Sequence, residues 1–509
     1  MRTSAIIGLL LLLILTSVYK LRSTLHGMVL ERTRAALQTH FESQVEFSDF
    51  KISMFPRFRV TILGLVMRHK WRTDIPPLIQ VQQVSIYANL RTLLRKQPHI
   101  AFVQLNGLQI HTPPRQPGGD PLIQRTNEVL ATKYPVLIHD IRADDAVIVI
   151  LRAEPEKPPR QFPIHHLLLH DVSFDRPASF RATLTNAAPR GEIDATGQFG
   201  PWLAELPRKT PAIGQYTFQN ADLGTLKGIK GILSSEGTFS GPLDYLKVDG
   251  VTDTPDFSLR TTDHPMALHT DFSSIVDGTN GDTYLNKVTA RFLHTTLEVS
   301  GKVVDVDHNI KGRTIMLDAV SQDARLEDLI RLAARGKGPA MTGSVRLSTN
   351  INLREGSGDL IDRLRITGQF GVGGAHFTSP KMQARIDTLS RKGQGHPKDT
   401  DISGVVSEMR GKFLLNAAVM QFSTLSFGVA GASVNLTGTY NVDSGALDFH
   451  GKLMLKAKPS QTTTGAKSFF LRAVDPFFRG KNAGTVLAIK VTGTKNNPSF
   501  GRDRAHASD

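Results

Sequence analysis

From Val45 onward, apolar and polar residues alternate with a period of two, broken at short intervals by Gly, Pro, Asn and Asp. The pattern is cleanest in the C-terminal half. Val345, Leu347, Ile351 and Leu353 fall on one side of a strand, with Ser344, Arg346, Ser348 and Asn350 on the other. Leu364, Ile366 and Phe370 repeat it, as do Leu297, Val299 and Val303. Later come Val434 with Leu436, then Leu447, Phe449, Leu453 and Leu455, then Leu487, Ile489 and Val491. Successive strand residues point to opposite faces, so such text predicts sheets with one dry and one wet face. Shorter runs lie upstream: Val60, Ile62 and Leu65, then Val84 and Ile86, then Phe102 and Leu108. Turn residues such as Asp443-Ser444-Gly445 separate the strands. The connections are too short for crossover helices, which predicts antiparallel pairing.

Helical periodicity is scarce. Ala324 to Ala334 places Leu326, Leu329, Ile330 and Ala333 on one stripe, stopped by Gly336. Ser468 to Phe478 carries Phe470, Val474, Phe477 and Phe478, with Pro476 limiting its regularity. Either helix could pack on a sheet or plug an apolar opening. A third helix is expected from Thr24 to about Thr39. Proline clusters at Pro113, Pro114 and Pro117, and at Pro155, Pro158 and Pro159, mark exposed loops and internal boundaries. A chain of 509 residues fits two to four domains or one elongated architecture.

The first residues read differently. Ala5, Ile6, Ile7, Leu9, Leu10, Leu11, Leu12, Leu13, Ile14, Leu15 and Val18 make the one segment suited to a bilayer. Ser17-Val18-Tyr19 is a poor match to a small-x-small cleavage site, so an uncleaved anchor is expected, lengthened by snorkelling Lys20 and Arg22. The net charge of +15 comes with no compact basic run interleaved with aromatics, so nucleic acid is not an expected partner. Attraction to anionic lipid headgroups fits the excess better, and a dispersed solubilising charge accounts for most of it. The absence of cysteine excludes disulfides, thiolate catalysis and cysteine-held metals.

A sheet with one apolar face must hide that face against a second sheet, against helices, or against a ligand held in a curled trough. Helical text is too scarce to cover so many strands. A sandwich and a lipid-lined trough both remain, and alternation does not separate them.

The cluster His165-His166-Leu167-Leu168-Leu169-His170-Asp171 has the histidine spacing of a helical metal site, but its flanking prolines and alternation predict a strand or loop with no third ligand. Asp140, Asp144 and Asp145 read as solvated turn carboxylates. Gly371-Val372-Gly373-Gly374 is not a dinucleotide fingerprint, because neither a helical pattern nor an acidic partner follows it in a βαβ unit. There is no phosphate-binding loop and no G-x-S-x-G elbow. The chain reads as a non-enzyme without catalytic residues, metal or cofactor.

Specific segments carry a resemblance. Ala324 to Gly395 combines a helix, a P-x-M-x-G strand entry, a long alternating hairpin, a G-x-F strand and an F-T-x-P…Q…I-D-x-L-S-R segment. Leu425 to Ala457 carries a G-A-x-V-x-L-x-G-x-Y strand followed by D-x-x-G-x-L, and Gly484 to Asp503 carries a closing strand with Gly493-Thr494, Pro498 and Phe500. Phe55 to Leu65 and Gly237 to Leu259 agree with them, while residues 115–185 are the least diagnostic. In this order the segments resemble the bacterial AsmA-like family, relatives of the bridge-like lipid-transfer proteins. Lys490 departs from relatives with a proline or apolar residue there, and falls on the wet face.

The resemblance implies a mainly β fold: an elongated, curved antiparallel β-groove with an N-terminal transmembrane helix and a few short amphipathic helices. It implies a single-pass inner-membrane protein of a Gram-negative cell, with its bulk in the periplasm, that transports phospholipid toward the outer membrane and supports outer-membrane integrity. Expected partners are phospholipid, the inner membrane and an acceptor protein in the periplasm or outer membrane. The expected divisions are an anchor at 1–22, a helix with a first groove unit at 23–115, a central groove at 116–320 and a C-terminal region at 321–509. Groove candidates are Val345, Leu347, Ile351, Leu353, Leu364, Ile366, Val434, Leu436, Leu447, Phe449, Leu453, Leu487, Ile489 and Val491. Each would equally suit dry core between two sheets. Roughly 25 to 30 strands at about 4.7 Å spacing would make a rod of roughly 120 to 140 Å if stacked in one line. The competing readings are a non-transporting scaffold for outer-membrane protein assembly and, last, a metal-dependent periplasmic hydrolase built on the His165 cluster.

Overall fold

The computed structural model describes residues 44–53, 58–68, 76–89, 99–112, 137–150, 160–173, 175–203, 207–226, 228–260, 262, 264–306, 312–333, 338–356, 360–396, 398–457, 485–495 and 497–503. The apolar segment at residues 5–18, the helices expected at 24–39 and 468–478, and both proline clusters lie outside these residues. Among the described residues 71% are strand, in 25 mainly antiparallel strands with few helices. The period-two reading therefore holds well beyond the cleanest segments. Among the described residues, no helix is long and apolar enough to cross a membrane. The chain divides into two compact units: residues 1–220, 236–248 and 277–280 form the first, and residues 221–235, 249–276 and 281–509 the second.

In the first unit, strands Asp49–Ser53, Arg59–Arg68, Ile79–Ala88 and His99–Thr112 pair antiparallel in sequence order. The next pairing corrects the expectation of antiparallel neighbours throughout. His99–Thr112 and Leu137–Ile150 run parallel, with Val103 opposite Ile141 and Leu105 opposite Ala143. A parallel pair needs a long crossover, and residues 113–136 supply the length. Antiparallel order then resumes through Arg160–Val172, Ala178–Ala187 and Arg190–Phe199.

A line of left-handed residues crosses this unit. Gly64 and Gly107 both have φ near +63°, a conformation open to glycine at little cost, and Asp145 has φ +54°. The pairing register is kept, but each such residue resets the alternation by one. Ile62 and Leu65, Leu105 and Leu108, and Ala143 and Ala146 therefore all reach the same apolar cluster. Asp145 thus has a turn-like backbone, but Asp140, Asp144 and Asp145 belong to strand Leu137–Ile150 and not to a turn. Phe102 is likewise not on the apolar face. It pairs with Asp140, stacks on Tyr87 at 5.6 Å between ring centroids, and lies under the Arg142 guanidinium at 5.0 Å.

In the second unit the strands from Met266–Val276 to Asn497–Arg502 add one after another, each antiparallel to the last. Helix α1, Leu326–Ala333, is shorter than expected. Ala324 stays in strand Thr314–Arg325, where it pairs with Val345 and is fully buried. Helix α2, Leu360–Arg363, is a single turn. Helix α3, Pro380–Gly393, has 14 residues and was not anticipated. Its apolar residues Met382, Ile386 and Leu389 are few, and its docking is partly polar. Ser390 donates to the Ala430 carbonyl at 2.9 Å, and Ala457 N–H donates to the Gly393 carbonyl at 3.0 Å. A Cβ on Gly393 would meet the Gly431 carbonyl oxygen at 2.5 Å, so α3 approaches the sheet backbone to backbone. A helix does therefore follow Gly371-Val372-Gly373-Gly374, contrary to expectation. The glycines lie within strand Leu364–Phe377, whose neighbours are both antiparallel, so the arrangement is still not a βαβ unit.

Candidate functional site: the apolar face of the C-terminal strands

Residues directly opposite one another on paired strands share a face. Following the register across the second unit gives apolar rows that run perpendicular to the strands. The first is Ala324, Val345, Val372, Met409, Phe427, Val434, Leu453 and Leu487. Beside it run Leu347, Phe370, Gly411, Leu425, Leu436, Gly451 and Ile489. A further row holds Gly368, Phe413, Phe422, Gly438, Phe449, Val491 and Phe500. The next holds Ile351, Ile366, Leu415, Met420, Tyr440 and Leu447, with Leu353 and Leu364 paired beyond it. All fourteen groove candidates of the sequence thus lie on one face, in these rows. Lys490 is exposed opposite His450 on the other face.

Sequence reading missed Met409, Phe413, Leu415, Phe422, Leu425 and Phe427 on the same face. The signal was masked by Leu414 beside Leu415 and by the register shifts at Lys412/Phe413 and Phe422/Leu425, which interrupt simple alternation. These residues complete a ladder of rings. Phe370 and Phe413 are 6.2 Å apart between centroids, Phe413 and Phe422 6.3 Å, and Phe422 and Phe449 5.6 Å. Glycines sit beneath the rings. A Cβ on Gly411 would come within 2.7 Å of the Phe370 ring, and one on Gly368 within 2.9 Å of Phe413. Strand glycines commonly mark such close approach.

Burial is graded across the rows. In the first row Val345, Leu453 and Leu487 are at most 2% exposed. This is where the helices pack: Leu326 and Leu329 of α1 against Val345 and Val372, and Leu389 of α3 against Leu453 and Leu487. Both helices are pinned by buried carboxylates. Asp328 of α1 accepts from His294 N–H and from the Thr295 hydroxyl, each at 2.9 Å. Asp387 of α3 accepts from Val405 N–H at 2.9 Å, Gly404 N–H at 3.2 Å and Gln383 at 2.9 Å. Burial pushes the Asp387 carboxyl up, but these hydrogen bonds outweigh it and hold the group below the ordinary carboxylate value. Away from the helices, Leu347, Ile351, Leu353, Leu364, Ile366, Leu436, Leu447, Ile489 and Val491 are only half-buried. Val434, although in the first row, is half-buried as well, and Phe449 is buried within the ring ladder.

The first unit has the same kind of row: Phe50, Ile62, Val84, Leu105, Ala143, Leu167, Ala182 and Ala195. Its opposite face carries the histidine cluster. His166 and Asp144 are 2.8 Å apart, His170 and Asp140 2.9 Å, and His139 and Asp171 3.2 Å. His165 instead reaches Thr185 at 2.7 Å. The hydrogen bond from His166 lowers the Asp144 carboxyl below its ordinary value, aided by Gln104 and opposed by burial. The hydrogen bond to Asp140, reinforced by the Asp171 charge, raises the His170 imidazole. The cluster is a set of cross-strand histidine–carboxylate and histidine–hydroxyl contacts on strands, in keeping with its prolines and alternation. Among the described residues, no group of three or more metal-ligating side chains converges.

No family model matches the chain, and no curated protein or solved structure matches it either, so the site is characterised by its own residues and geometry.

Proposed function

We propose that this protein carries phospholipid along the apolar face of its sheet, from an inner-membrane anchor at residues 5–18 toward the outer membrane, as the AsmA-like resemblance implies. The observation that supports this reading is the grading of burial. The apolar rows continue from strand to strand; burial is most complete beneath α1 and α3, while most aliphatic side chains of the remaining rows, Leu415 apart, are only partly buried. In the groove reading, the sheet curls around acyl chains that lie along these rows.

Moving a phospholipid through water exposes both tails. At about 0.8 kcal/mol per methylene, two sixteen-carbon chains cost roughly 20 to 25 kcal/mol. A continuous apolar face replaces the bilayer for the tails and leaves the headgroup in water. No bond is made or broken, so the task needs aliphatic surface and aromatic rings and not a catalytic group.

Site-specific photocrosslinking in living cells tests the proposal. A photoreactive residue at Leu347 or Leu436 should give phospholipid adducts, and one at Lys452 on the opposite face should not. Adducts to protein alone at Leu347 and Leu436 would make the sheet a scaffold and end the transport reading.

A further inference from the structure

The polar face of the second unit carries a separate feature. An open depression of about 440 Å³ is lined mainly by polar side chains that alternate with the apolar rows, and also by Leu347, Phe370 and Gly411 of the second row. Register assembles it from distant parts of the chain. Arg346, Gly371 and Arg410 lie opposite one another in one row, and Gln369, Lys412 and Thr424 in the next. The lining contains no carboxylate. Asp318 borders an adjoining depression and is engaged by Asn350 at 2.9 Å. Arg410 reaches Glu408 at 4.0 Å, at the edge of ion-pair distance. The Arg346 and Lys412 side chains make no hydrogen bond or ion pair among the described residues. Gly371 leaves the floor bare: a Cβ there would meet only the Arg410 side chain, at 3.9 Å.

Cations gathered without counter-charges repel one another, and an anion placed between them removes that repulsion. Guanidinium groups match phosphate oxygens in paired hydrogen bonds, and Lys412 adds a point charge. The amide of Gln369 and the hydroxyl of Thr424 suit hydroxyl or ester oxygens. At about 30 Å³ per water, the depression has room for roughly fifteen waters, more than a bare phosphate fills.

We infer that this depression binds a phosphate-bearing organic anion, with Arg346, Arg410 and Lys412 holding the phosphate. The inference rests on Arg346, Arg410 and Lys412, which alternate with the apolar rows, and does not require that the apolar face carry lipid. The phosphate can belong to a soluble ester or to a lipid headgroup, and the experiment separates them.

Calorimetric titration of the full-length protein in detergent, with glycerol 3-phosphate in one arm and a short-chain phosphatidic acid in the other, provides the test. Wild-type protein should bind at least one, more weakly as salt rises. Binding of both identifies the phosphate ester as sufficient, and binding of the acylated ligand alone identifies a lipid headgroup. In either case Arg346→Gln/Lys412→Gln should weaken binding at least tenfold. Gly371→Leu, which fills the floor without meeting backbone, should do the same, and Lys302→Gln, away from the depression, should not. Wild-type binding that neither variant changes, or no binding of either ligand, overturns the inference.

Discussion

A glutamate placed at Leu436 or at Leu453 separates an open apolar face from a sealed one. The two residues lie in neighbouring rows of paired strands: Leu453 is opposite Val434, and Leu436 is opposite Gly451. Leu453 is 1% exposed beneath Leu389 of α3. Leu453→Glu loses about 2 to 3 kcal/mol of aliphatic burial. It also buries a carboxyl among Ala432, Leu455 and Leu487, adding roughly 2 kcal/mol or more even if the group takes up a proton. A total near 5 kcal/mol rivals the whole stability of many domains, about 5 to 15 kcal/mol. Leu436 is half-buried and faces a glycine, so a glutamate there keeps its head in water and forfeits only about 1 kcal/mol of burial. Urea denaturation followed by far-ultraviolet circular dichroism should therefore show Leu436→Glu about 4 kcal/mol more stable than Leu453→Glu. Leu436→Glu should remain folded and, by interrupting the shared row, lose phospholipid adducts at Leu347 farther along it. Equal destabilisation by the two substitutions would mean that both rows are sealed, and would refute the reasoning.

Three further outcomes follow from the pinned helices and the C-terminal strands. Asp328→Ala strands His294 N–H and the Thr295 hydroxyl and should cost about 2 to 4 kcal/mol in urea denaturation; a change under 0.5 kcal/mol would show that the α1 anchor is dispensable. Because the folded-state carboxyl of Asp387 is lowered, its stabilisation is complete above about pH 4 and lost as pH falls through the lowered value. Asp387→Asn should therefore destabilise at neutral pH and progressively less in acid; a constant penalty across that range contradicts the assignment. His450 is raised by its hydrogen bond to Asp503 at 2.6 Å and also by Asp448, so its contribution is complete below about pH 6.5 and fades as pH rises through the raised value. His450→Gln should lower the thermal midpoint at mildly acid pH and lose that effect in alkali, and the opposite dependence would exclude the pairing as its source.

Much of the C-terminal sheet was legible because its strands keep strict alternation. Val345 to Leu353 and Leu447 to Leu455 could be assigned to one face without knowing their partners. What alternation does not carry is register, and register builds the ring ladder: Phe370, Phe413, Phe422 and Phe449 meet only once four separate strands are aligned. The left-handed residues Gly64, Gly107 and Asp145 were hidden for a related reason. Each shifts the period by one residue, so Leu65 after Ile62 looks like an irregularity until the left-handed residue between them is seen. Helix α3 escaped because it docks through Ser390, Gly393 and Asp387, and a polar docking surface leaves little apolar periodicity. The basic depression was invisible for the simplest reason, since Arg346 and Arg410 are far apart in the chain and adjoin only through Gly371.

The parallel pairing of His99–Thr112 with Leu137–Ile150 sets a timetable for assembly. From Leu137 to Phe199 each strand joins the one made just before it, and the last of these joins across the tight turn at residues 188–189. Such contacts are local and form quickly. The strands ahead of Thr112 gain their parallel neighbour only after residues 113–136 have been synthesised and their ends brought together, a slower closure. During translation the exposed edge at His99–Thr112 must therefore wait, with its backbone unpaired, for a partner from the other side of the crossover, and that interval is when a nascent chain is most open to mispairing or to a chaperone.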